Sequence, residues 1–156
     1  AIAGNDNDRD PARFEPHYRE IRSGDEVQIY EAIMGAATGQ VTTGLLSAVS
    51  YLKDNRLPPR GFDKRTAPAD VAVHGDALAD PDFGAGEDRV RYSVDTGGAR
   101  GPFTIEAQLW YQSIGYRWAR NLDGYTAAEP RRFVSYYDQV APESALLLTR
   151  AARTVE

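Results

Sequence analysis

No cysteine occurs anywhere in the chain. That excludes disulfides, thiolate metal sites, a cysteine nucleophile and covalent c-type haem attachment within these residues. It leaves the compartment open, because a core of this size does without disulfide staples. Histidine is nearly as scarce, His17 and His74 being the only two. Neither stands in a Gly-x-Ser-x-Gly elbow or an HExxH helix, so no nucleophile–base pair for serine hydrolysis is recognisable. Long apolar runs are missing too. The longest, "AIMGAA" and "SALLL", fall far short of the ~20 residues of a membrane span. Positive charge is never concentrated. The net charge is −5, and acids are interspersed among the arginines, which argues against nucleic acid as a partner. The opening "AIAGND" has neither an initiator methionine nor a signal peptide and predicts a piece of a longer protein.

What is present suits an ordinary globular domain. The 156 residues are 42% apolar, and a chain of this length buries about 70% of its unfolded surface on folding. Residues 1–25 are polar, proline-punctuated and aperiodic. They predict an irregular arm, packed through Phe14 and Tyr18, that leads into a single domain over 26–156. Strands are expected over 26–34 and 70–75, with long connections over 58–69 and 76–88. The segment 40–52 fits helix or strand. Leu45, Val49 and Leu52 have helical spacing, but Thr42, Thr43 and Gly44 are poor helix starters, which favours strand.

The clearest pattern lies further on. Val90, Tyr92 and Val94 alternate with polar residues, as do Phe103, Ile105, Ala107, Leu109 and Tyr111. Alternation of this length predicts half-buried antiparallel strands, joined into a hairpin by "TGGARG". A helical turn or irregular stretch is expected over 115–125. A helix follows over 126–140, with a Thr126–Glu129 capping box and a stripe of Phe133, Val134, Tyr137 and Val140. Residues 144–155 are a closing strand or a tail helix, strand being favoured. The whole predicts a mainly β fold: an antiparallel β-sandwich, immunoglobulin/fibronectin-III-like or jelly-roll-like, with long loops and one appended helix near 128–140. Trp110 would point away from the sandwich interior, and the helix would lie across it.

Candidate chemistry is thin. Asp6, Asp8 and Asp10 open like a calcium loop, but Pro11 and His17 stand where that loop needs glycine and glutamate. A solvated acidic arm explains them better. In "KDNRLPPRGF", two prolines fix an extended backbone. Asp54 and Asn55 would cap their own turn, Arg56 and Arg60 would find carboxylates or carbonyls, and Leu57 and Phe62 would anchor the loop. Arg56, Arg60, Trp110, Tyr116 and Trp118 are the candidates for a partner or ligand surface. Core packing is the competing reading for the aromatics. No catalytic, cofactor-binding or metal-binding residues are assigned.

Taken together, "VQIYEAIMGAATGQVTTGLLSAVSYLKDNRLPPRGFDK", "VHGDALADPDFGAGEDRVRYSV", "GPFTIEAQLWYQSIGYRWARNL" and "RRFVSYYDQV" resemble a cysteine-free C-terminal domain of exported bacterial multihaem c-type-cytochrome-like proteins. The resemblance covers about residues 25 to 155, and "YLKDNRLPPRGFD" and "LWYQSIGYRW" are its most specific parts. It implies a periplasmic or extracellular location and haem-binding CxxCH motifs in an upstream region, with no cofactor in this chain. The function it implies is a non-enzymatic accessory β module that docks on that upstream region or on a protein partner. A ligand-binding module, for carbohydrate or calcium, is the alternative.

Overall fold

A computed structural model describes Asp10 and residues 13–156. The acidic run at 5–11 therefore lies outside the described residues, apart from Asp10. The chain divides into two compact units, Ala1–Ser93 and Val94–Glu156. Among the described residues seven strands form three small sheets, and helices accompany them in each unit. The architecture is mixed α and β. The sheets of the described residues have only two or three strands each, so the expected mainly β sandwich is not borne out.

In the first unit, β2 (Ala32–Ala36) lies between β3 (Val41–Thr42) and β4 (Ala48–Asp54), both antiparallel to it. A turn in which the Gly39 amide donates to Ala36 O (2.8 Å) reverses the chain between β2 and β3. Gly39 sits there at φ 80°, a conformation glycine adopts without steric cost. Gly35 allows β4 to come close: a Cβ there would lie 2.9 Å from the Leu52 side chain. The expected strand character of 40–52 is present at both its ends. The segment 70–75 forms only a single bridge, between His74 and Asp54, and a short helix α1 (Asp76–Ala79) follows it. The core is Val73, Ala77 and Phe83, with Tyr30 and Phe62 packed against it. Phe62 thus anchors the loop as expected. Leu57 does not, being exposed, and the buried Pro58 takes that part. Two further short strands, β1 (Glu20–Ile21) and β5 (Arg91–Tyr92), pair in parallel.

That pairing overturns the expected hairpin. β5 is taken by β1, and β6 (Phe103–Tyr111) pairs antiparallel with β7 (Leu146–Val155). The reason is length. β7 offers partners along all nine residues of β6, from Phe103↔Val155 to Tyr111↔Leu146, whereas the alternating run 89–95 has seven. The closing segment is accordingly a strand.

The second unit also holds α2 (Tyr116–Arg120), a 3-10 turn (Asn121–Gly124) and α3 (Ala128–Ser144). α3 begins after Ala127 without a side-chain cap, so the Thr126–Glu129 box does not form. Its stripe packs against α2 and the 3-10 turn, with Tyr137 buried and stacked on Phe133 at 6.5 Å. Arg120 stands over the rings of Tyr116 (5.2 Å) and Tyr137 (5.9 Å) and pairs with Asp138. Trp110 is therefore not covered by the helix, contrary to expectation. It is 52% exposed, and its Nε1 donates to Gln108 Oε1 at 2.8 Å in a polar row that continues to Glu106. The stripe finds its cover on 116–124 instead. Trp110→Ala is then expected to change stability by less than about 1 kcal/mol. A thermal melt checks this, and a loss of several kcal/mol would restore the covered-tryptophan packing.

Candidate functional site

The parallel register Glu20↔Arg91 has a consequence upstream of both strands. His17 and Asp88 each precede their strand by the same interval, so the pairing brings them together. Asp80, the residue that ends α1, completes the convergence. His17 Nε2 lies 3.2 Å from Asp80 Oδ2 and 4.0 Å from Asp88 Oδ1, with all three side chains buried. Asp80 Oδ1 accepts from the Asp82 amide (2.9 Å), and Arg19 Nε lies 3.6 Å from it. Asp88 Oδ2 accepts from the Tyr30 hydroxyl (2.7 Å) and from Gln28 Nε2 (3.2 Å). Burial, with that acceptor beside it, pushes the Tyr30 hydroxyl pKa well above its ordinary value, so Tyr30 stays a proton donor to Asp88.

The other side of the imidazole fixes what this cluster can do. Asn55 Oδ1 accepts from the Glu31 amide (2.9 Å) and its Nδ2 donates to Ile29 O (3.0 Å). Those two bonds settle which end of the amide is which. The same Nδ2 faces His17 Nδ1 at 3.1 Å. Gln28 is oriented likewise, its Oε1 accepting from the Tyr18 amide (2.8 Å) and its Nε2 lying 3.0 Å from Nδ1. Nδ1 thus meets donors only and must present its lone pair. The proton of the neutral ring then sits on Nε2, pointing at Asp80. His17, Asp80 and Asp88 have the residue types of a metal site, but a metal-bound histidine needs its lone pair on the ligating nitrogen and a proton to donate from the other. Here both requirements are reversed. The same engagement of Nδ1 removes the lone pair a general base would use. The cluster therefore reads as a hydrogen-bonded lock between the N-terminal segment, β4, α1 and the approach to β5.

Lys53 forms the second node of this lock. Its buried ammonium donates to Glu15 O (2.7 Å), Ile29 O (2.9 Å) and Glu31 Oε1 (3.1 Å). Glu15, fully buried, accepts from the Tyr18 hydroxyl at 2.7 Å. At the rim, Arg22 (2.8 Å) and Ser93 (2.7 Å) donate to the Glu20 carboxylate and hold its pKa down from 4.5 to about 2. A depressed carboxyl contributes stability that is complete above its unfolded pKa and lost as pH falls through the folded one. Wild type should therefore lose more stability than Glu20→Gln between pH 4.5 and about 2. Parallel acid melts of the two proteins would contradict this.

Of the residues singled out from sequence, Arg56 and Arg60 belong to the first unit and Trp110, Tyr116 and Trp118 to the second. Arg56 grips Asp54 through Nε (2.9 Å) and a terminal nitrogen (2.6 Å) and stands over the Tyr51 ring at 5.9 Å, a structural role. Arg60 is exposed. Tyr116 packs under Arg120, while Trp110 and Trp118 are partly exposed. His74 bridges to Asp54 and tilts against Tyr51 at 5.6 Å. An open cleft of about 350 Å³ is lined by Arg19, Glu20, Asp82, Arg89 and Arg91, a mixture of signs that selects no ligand charge. The lock itself was not anticipated. Its members are spread from Glu15 to Asp88, and no spacing rule joins them.

The second unit presents a different feature. Along β6 and β7, Phe103, Ile105, Ala107, Leu109 and Tyr111 share a face with Leu146, Thr149, Ala151, Arg153 and Val155. This is the apolar face the alternation anticipates, yet Ile105, Tyr111 and Leu146 are at least half exposed. Among the described residues no helix is long and apolar enough to cross a membrane. Comparison with family models, curated proteins and solved structures finds no match.

Proposed function

We propose that the chain is a non-catalytic accessory module of a larger exported protein of the multihaem-cytochrome type, docked through its β6–β7 ribbon on the remainder of that polypeptide. The observation that carries this reading is the exposure of Ile105, Tyr111 and Leu146 on a ribbon face that also holds the half-buried Phe103 and Leu109, with Arg153 its one charged member. A two-stranded ribbon is marginal in water and gains stability from a further layer on its apolar side. In this reading the remainder of the parent supplies that layer and with it the second sheet of a sandwich. Haem chemistry, and the periplasmic or extracellular setting it implies, belong to the parent's upstream region.

The test uses the full-length parent polypeptide beside its Ile105→Asp/Tyr111→Asp variant. Both side chains are half exposed, so the variant 156-residue chain should melt as wild type does. In the parent, the variant should release the module, read as new proteolytic cleavage between it and the haem region. Equal protease resistance of variant and wild-type parent would overturn the docking. A parent without CxxCH motifs would overturn the cytochrome assignment while leaving the docking surface to be judged by proteolysis alone.

A further inference from the structure

We propose that the turn between β3 and β4 is a peripheral lipid-contact tip, which places Leu45 and Leu46 in the headgroup–acyl boundary of a bilayer. Leu46 is fully exposed, Leu45 is 73% exposed, and Val49 on the following strand is 67% exposed. Two adjacent leucines at the end of a turn are not held there by packing of their own.

Three further observations select the occupant. First, no charged residue occurs between Glu31 and Lys53, although 26% of the chain is charged. The turn and the parts of β2, β3 and β4 within 32–52 therefore carry no ion to desolvate, and burying unpaired charge is the main cost of entering an apolar medium. Second, the turn satisfies much of its own polarity. Gly44 O accepts from the Ser47 amide, the Ala48 amide (both 3.0 Å) and the Ser47 hydroxyl (3.0 Å). The Gly44 amide donates to Thr42 Oγ1 (3.1 Å), which in turn bonds Ser47 Oγ (2.9 Å). Such a turn is preorganised, so little conformational freedom remains to be lost on binding. Third, the tip lacks what a protein partner's pocket uses. Residues 37–50 contain no Trp, Tyr or Arg, the types that dominate protein hot spots, and leucine is under-represented among those. A lipid surface asks only for apolar side chains at shallow depth. The contact is peripheral, uses no residue of β6 or β7, and is independent of ionic attraction.

The test is flotation of the 156-residue chain with phosphatidylcholine vesicles at millimolar lipid, at low and high salt. Wild type should co-float, equally in both salts, since no charge is engaged. Leu46→Ser should lower the partition coefficient about ten-fold, as expected for losing one leucine from an apolar contact, and Leu46→Asp further still. Circular dichroism should show both variants folded, because the side chain they replace is exposed; Leu45→Ser repeats the test at the neighbouring position. Ile105→Asp should float as wild type does. Absence of wild-type flotation would overturn the proposal, as would unchanged flotation of the Leu46 and Leu45 variants. Loss in Ile105→Asp alone would move the lipid contact to the ribbon, and loss in high salt would show an electrostatic contact instead.

Discussion

Replacing Lys53 with methionine is expected to destabilise the first unit by about 3–5 kcal/mol, the range for breaking one side of a buried ion pair. Methionine keeps much of the stem's volume, so the effect is one of polarity. The Glu15 and Ile29 carbonyls and the Glu31 carboxylate lose the ammonium they share, in a place where Lys53 itself is 2% exposed. Glu31 is less deeply placed and can turn to water, so Glu31→Gln alone should cost less. The double variant should recover part of the Lys53→Met loss, because it removes the uncompensated charge. Both tryptophans lie in the second unit, so unfolding must be followed at amides of β2 and β4. A Lys53→Met protein as stable as wild type would show that the ammonium is not holding the N-terminal segment to β4.

Phe83→Ala should cost a comparable 3–5 kcal/mol. Phe83 is 1% exposed and is the largest fully buried side chain of the core it shares with Val73 and Ala77. Its edge meets the His17 ring at 5.0 Å, and the Lys64 ammonium stands over it at 5.6 Å while donating to the carbonyls of Ala77 and Asp80. The alanine variant opens a cavity beside the polar lock and removes the apolar wall that shields it. Phe83→Leu keeps most of the volume and should cost less than about 1.5 kcal/mol. Denaturant midpoints of the three proteins check the order. Equal midpoints would mean that this small core contributes little to the first unit.

What could be read from the residues, and what could not, divides along physical lines. Alternation marked β6 as a strand, though not its burial, since Ile105, Ala107 and Tyr111 are exposed; a 3.6-residue stripe marked α3, and both patterns are local. Pairing is not local. That β5 joins β1 across the length of the first unit, and β6 joins β7 across α2, the 3-10 turn and α3, is decided by residues far apart in the chain. Trp110 shows the same limit. Its out-of-step position was legible, but its company is Gln108 and Glu106, because α3 packs on α2 and the 3-10 turn instead. The lock around His17 was invisible for a further reason. It is made of one histidine, two amides, two aspartates and a tyrosine, assembled by the parallel register of two-residue strands that no periodicity reveals. In "KDNRLPPRGF" Asp54 caps its own turn through the Arg56 amide as expected, but Asn55 does not, reaching with Lys53 into the lock instead.

Residue-resolved amide exchange of the isolated 156-residue chain tests the central contrast most directly: a first unit closed by its polar lock, and a ribbon that awaits cover. Slow exchange is expected at Asp54 and Asn55, whose amides donate to His74 O (3.1 Å) and Glu31 O (3.2 Å), and along β2 and β4. Much faster exchange is expected along β6 and β7, although their ladder is longer, because local opening of a bare ribbon requires little work. Protection of β6 and β7 equal to that of β2 and β4 would contradict the account, since a ribbon already secured has no need of a docking partner.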